Sequence, residues 1–254
     1  MKRISGRDLG EALGELIGDA LSWERLDISA TPYRGDLLFR SASQRMFLLQ
    51  CVMGKGPLPF PVLRDVRVVP PGPGQAGAPP LAVLVTSHTL DDRIWAAFAS
   101  SGVLVIHCPP REPPSATALR VLAILQNLEK AATGTAGTED IDGVVGCMIP
   151  QRTAGVIADA ASALRQLGGY RHAVRLYSMS LGDPFHRLGG DDPAVLELRS
   201  QFADVLFWDG RRDDAERELQ VVHQRRCLIL GQGHPDTQAT FSKLRALDRS
   251  RSQA

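Results

Sequence analysis

Leu9, Leu13, Leu16, Ile17, Ala20 and Leu21 recur at helical spacing and lay one apolar face along a first helix. Ser5, with Asp8 three residues on, opens that helix as a capping box. Two strand-like runs follow, at 26–30 and 36–40. A third, 45–53, is apolar on both faces. Phe47, Leu49 and Cys51 point one way, and Met46, Leu48, Gln50 and Val52 the other, which places the run inside a covered sheet. The spacing predicts a short helix over 61–69 and a Gly/Pro surface loop over 70–80. Residues 81–86 read as a buried strand. Thr89 caps a helix that carries Ile94, Trp95 and Phe98 and ends at Gly102. Residues 103–107 are a second buried strand, and Ser115 caps a long helix with Leu119, Leu122, Ile124 and Leu125. Strand–helix–strand units imply parallel pairing, so 1–135 is predicted to be a three-layer α/β domain of order α-β-β-β-(α)-β-α-β-α.

The second half changes period. A stretch rich in Gly, Thr and acids begins at 134, and 136–152 is predicted to be a linker. Helices are predicted at about 153–167, 170–188, 194–209, 211–230 and 235–249. Ala161, Leu164, Gly168, Ala173, Leu188, Gly189 and Pro193 recur, 42 positions on, as Ala203, Leu206, Gly210, Ala215, Leu230, Gly231 and Pro235. A fixed period of this size means stacked helical hairpins. The fold class is therefore α/β plus all-α, with 153–254 as a short helical-repeat array. Two repeats and a trailing helix are fewer than such arrays need, so the α/β domain or a second chain must cover their ends.

Gly168-Gly169-Tyr170, Ala173 and Tyr177, then Leu188-Gly189-Gly190-Asp191-Asp192-Pro193, resemble a tetratricopeptide repeat of the kinesin-light-chain type. Gly210-Arg211, Ala215 and Leu219, then Leu230-Gly231-Gln232-Gly233-His234-Pro235, repeat the resemblance. It covers about 160–250. It implies a concave face, lined by the first helix of each hairpin, that binds a partner protein or a second copy of the chain. Arg199, Gln201 and Asp204 are the candidate partner-binding residues on that face.

The order of the first half resembles the restriction-endonuclease-like (PD-D/E-XK) superfamily. That family carries a Glu in the first helix, an Asp on the second strand and a Glu/Gln-x-Lys on the third. Asp36 and Gln50-Cys51-Val52 stand at the strand positions, and Glu11 or Glu15 at the helix position, so Asp36, Gln50 and Glu15 are the candidate catalytic residues. A three-residue hairpin loop at Ala42-Ser43-Gln44 would pair 41 with 45 and set 36 opposite 50, with Asp36 and Gln50 on one face. Val52 occupies the lysine position, which removes the cation that would offset developing phosphate charge. Lys55 lies three residues on.

The remaining chemistry is sparse. His88 and His107 fall near the carboxyl ends of strands, beside Ser87, Asp91 and Asp92, but no G-x-S-x-G elbow accompanies them. Cys51, Cys108, Cys147 and Cys227 are scattered, with no C-x-x-C pair, which points to a reducing cytoplasm and no metal site. No apolar run reaches membrane-spanning length. A formal net charge of +1 argues against nucleic acid, although Arg34, Arg40 and Arg45 gather near the hairpin. The expected function is a cytoplasmic protein–protein interaction protein with a non-catalytic nuclease-like domain and no cofactor. The alternatives are a metal-dependent nuclease, taking a divalent ion such as Mg²⁺ and recruited by the repeats, or an α/β binding domain for a small ligand or nucleotide.

Overall fold

The computed structural model describes residues 6–30, 36–58, 80–109, 112–148, 154–181 and 190–252. Ser5, the helix expected at 61–69 and all but the last residue of the loop expected at 70–80 lie outside them. Helix α1 (Gly6–Leu21) buries Leu9, Leu13 and Ile17, spaced one turn apart. Gly14 lets it lie close to the sheet: a Cβ there would stand 3.1 Å from the Arg25 guanidinium and 3.4 Å from Leu37.

Strands β1 (Glu24–Leu26), β2 (Leu37–Arg40), β3 (Met46–Val52), β4 (Leu81–Thr86) and β5 (Val103–His107) form one five-stranded sheet in sequence order. β1, β2 and β3 pair antiparallel, and β3, β4 and β5 pair parallel. The expected strand at 26–30 is a correction: it is a 3-10 turn over Ile28–Ala30. The Asp27 carboxylate accepts from both the backbone N–H and the hydroxyl of Ser29, which draws the chain into a turn instead of a ladder. The β2–β3 hairpin has the expected register. Leu37 faces Leu49, Arg40 faces Met46, and the Ser41 amide donates to Arg45 O at 2.8 Å. Gln44 closes the loop at φ 63°. β3 is the middle strand, as its two apolar faces require, and Phe47, Leu48 and Leu49 are all buried.

Helix α2 (Asp92–Ser101) links β4 to β5. Its N-cap is Asp91, which accepts from Ile94 N at 2.8 Å, two residues after the expected Thr89; Gly102, at φ 77°, ends it. Helix α3 (Pro114–Ala132) packs on α1 and starts on Pro113 and Pro114 with no side-chain cap, so Ser115 lies inside it.

The middle of the expected linker is also a correction. Residues Thr138–Met148 form helix α4, with Ile141, Val144 and Val145 buried against α3 and its neighbours. Those three apolar residues are spaced for one helical face, and Glu139 and Asp140 favour its N-terminus. One apolar core runs from α1 through the sheet and α4 into the helices that follow.

Helices α5 (Ala154–Leu167) and α6 (Tyr170–Ser180) form the first pair, α7 (Pro193–Trp208) and α8 (Arg212–Leu230) the second, and α9 (Pro235–Ser252) trails. α6 ends at Ser180, short of the expected 188; residues 182–189 lie outside the described set. The two turns close alike. Gly168 and Gly210 take φ 86° and 85°, while Gly169 N donates to Leu164 O and Arg211 N to Leu206 O at 2.9 and 2.8 Å. Ala161, Leu164 and Ala173, and their counterparts Ala203, Leu206 and Ala215, are at most 1% exposed.

α5 is buried nearly all round. It lies on the free edge of β5 and touches α2, α3, α4 and α6. The α/β part therefore covers the first end of the array. At the other end α9 buries Thr237 and Thr240 and exposes Gln238, Ser242, Arg245 and Asp248, with Phe241 exposed among them.

Candidate functional site

The nuclease-like positions meet at the carboxyl end of β3, but not as a catalytic group. The β2–β3 ladder stops at Leu37 and Leu49, and the Asp36 amide donates to Leu49 O at 2.9 Å. The exposed Asp36 carboxylate accepts from the backbone N–H of Cys51 at 2.5 Å, satisfying an amide at the strand's end. Gln50, half-buried, directly precedes Cys51 on β3. Glu15 is exposed, since the face of α1 turned to the sheet is Leu9, Leu13 and Ile17. Glu11 is exposed too and pairs with Arg7. The helix acids therefore lie off the α1 face that meets the sheet. Lys55 lies exposed on the loop after β3. Among the described residues no group of three or more His, Cys, Asp and Glu could hold a metal ion. The Cys51 thiol is pushed far up, first by burial and then by the Asp36 charge, so it is no nucleophile.

The carboxyl ends of β4 and β5 gather further polar groups, and these tie loops together. Ser87 Oγ accepts from Gly54 N at 3.0 Å and donates to Gly54 O at 2.9 Å. His88 Nδ1 lies 3.2 Å from Gly56 O, and its ring packs so tightly on Gly54 that a Cβ there would lie 2.3 Å away. Burial and then the Arg120 charge hold the His107 imidazole below its ordinary value. Arg120 grips Glu112 at 2.6 Å and donates to His107 O at 3.0 Å. Among the described residues no hydrogen bond joins Ser87 to either imidazole. A nucleophile–base pair is not formed.

On the helical side, the three residues expected to meet a partner are engaged within the chain. Arg199 donates to Glu218 at 3.0 Å, and Asp204 accepts from Lys243 at 2.8 Å. Gln201 is 4% exposed, donates to Ser100 O at 2.6 Å and accepts from the Tyr177 hydroxyl at 3.0 Å. The surface between α5 and α7 holds α2 of the same chain. Gln201 and Gln166 donate to Ser100 O and Gly102 O, at and just after the C-terminus of α2, satisfying carbonyls left open at the helix end.

Sequence reasoning missed Asp159. It lies on α5, fully buried, and its Oδ2 accepts from Val105 N on the open edge of β5 at 2.5 Å, while Oδ1 has no partner among the described residues. Burial raises its pKa well above the ordinary value, against the Val105 hydrogen bond, which lowers it. A signal was available: Asp159, Gln201 and Lys243 are 42 residues apart, one polar residue at the same position of successive first helices. No protein-family model, curated protein or solved structure matches the chain.

Proposed function

We propose that the chain is a non-catalytic protein-interaction protein: a tetratricopeptide-like helical array built onto a restriction-endonuclease-like sheet without its chemistry. The observation that carries this reading is the fate of the motif acids. Asp36 is committed to the Cys51 amide, Glu11 and Glu15 face away from the sheet, and Gln50 and Val52 fill the other positions. A divalent-metal reaction on phosphate needs two or more anionic oxygens converging on one point. The 42-residue repeat, executed twice with the same turn, supports the binding half of the reading.

A partner or second copy meets the array elsewhere than between α5 and α7, because α2 fills that surface. The last two helices leave Val221, Leu228, Ile229 and Phe241 exposed. The test uses the full chain. Neither DNA nor RNA should be cut with Mg²⁺ or Mn²⁺ above the level of Asp36→Ala. Association with a partner, or with itself by sedimentation, should be lost in Leu228→Glu and kept in Asp36→Ala. Cleavage that Asp36→Ala abolishes would replace this reading with the nuclease one, and association indifferent to Leu228→Glu would remove the last helices from it.

A further inference from the structure

At the end of the molecule opposite Asp36, the turns α3–α4, α5–α6 and α7–α8 enclose an open cavity of about 920 Å³. That size falls within the range of about 300–1,000 Å³ common for small-molecule sites. Its wall holds Trp208, an indole 64% exposed at the end of α7. Tyr170 stacks beside it with ring centroids 6.1 Å apart, and Phe207 meets it edge-on at 5.4 Å, so the ring is held in place yet open to solvent.

The charged lining is mostly basic. Arg171 is exposed and has no ion-pair partner among the described residues. Arg175 donates through one nitrogen to Asp142 at 2.7 Å, while its buried Nη1 has no partner among the described residues. An orphaned buried guanidinium donor is costly unless an acceptor meets it. The Arg45 guanidinium stands at the Gly168 corner, 3.6 Å from where a Cβ would be. Among the described residues Asp209 is the acid in the lining, and Asp142 pairs with Arg175 behind it. Burial and then Arg171 and Arg175 hold the His172 imidazole below its ordinary value, in keeping with a positive local field.

We propose that this cavity binds a planar aromatic anion of nucleoside-phosphate chemistry, its ring against Trp208 and its phosphate between Arg171 and Arg175. An indole gives any base a stacking surface. The exposed Arg171 guanidinium, beside the partly exposed Arg175, matches phosphate oxygens in charge and geometry. The site shares no residue with the sheet end that carries Asp36, so it stands whether or not the interaction reading holds.

The experiment is a titration of the full chain with ADP at low salt, read by tryptophan fluorescence. Trp23 and Trp95 are each 4% exposed, so a quench reports Trp208, and Trp208→Phe checks that assignment. Calorimetry gives affinities for variants that lose the probe. Saturable binding at submillimolar ADP is expected. Trp208→Ala should weaken it by about tenfold, as loss of one stacked base does. Arg171→Gln should weaken it by about tenfold, as loss of one charge-assisted hydrogen bond does. Adenosine alone and inorganic phosphate alone should each bind at least about tenfold more weakly than ADP. No saturable binding to a chain with native ellipticity would overturn the proposal, as would binding indifferent to both substitutions. Phosphate binding as tightly as ADP would also overturn it, leaving an anion site without an aromatic half.

Discussion

Gly54 and His88 share space that only a missing side chain provides. A Cβ at position 54 would lie 2.3 Å from the imidazole, whose other side is fixed by Gly56 O. Gly54→Ala is expected to cost about 1–3 kcal/mol through overpacking. His88→Ala in the same background should recover part of that loss, and chemical denaturation of the single and double variants measures both. Asp159 behaves differently. Its folded pKa is raised above 3.8, so the fold binds the extra proton. The stability this group contributes is present below pH 3.8 and is lost as pH rises through its folded pKa. Asp159→Asn keeps an acceptor for Val105 N and cannot ionise, so its stability relative to the native chain should rise across that window. Equal pH dependence of the two chains would mean that Asp159 is not buried as described. The 42-residue spacing marks this position in the sequence, but not what the acid meets. Asp159 reads as an ordinary helix acid until the open edge of β5, 54 residues away, is laid against it.

At the scale of elements, what could be read locally held. The three-residue loop fixed the β2–β3 register, and the double apolar face of β3 placed it centrally. The turn glycines Gly168 and Gly210 mark equivalent helix ends. Ala215 is fully buried where α8 enters the second pair, so Ala215→Leu is expected to cost about 1–3 kcal/mol, seen as a lower melting temperature. Surface-like tolerance there would mean that α7 and α8 are not packed in this register. What failed depended on distant partners. The Gly/Thr/acid stretch around 134–142 looks like a linker because its apolar residues are few. Ile141, Val144 and Val145 become a helical face only when α3 and its neighbours supply the other side. The same holds for Glu15 and for Gln201. A motif gives positions along the chain, whereas the buried side of α1 and the seat of α2 between α5 and α7 decide which side chains meet.

Over the whole molecule, the sheet and the helical pairs that follow it share one core. α5 closes the edge of β5, and α2 fills the surface between α5 and α7. Such an arrangement unfolds as a unit. The most direct test is equilibrium urea unfolding of the full-length Trp208→Phe chain, followed by two probes. Tryptophan emission then reports Trp23, stacked on Phe47 of the sheet, and Trp95 on α2, while far-ultraviolet ellipticity is dominated by the helices that follow. The two transitions are expected to coincide at one midpoint. Loss of ellipticity in a separate, earlier transition, with Trp23 still buried, would contradict the shared core and restore an independent helical domain.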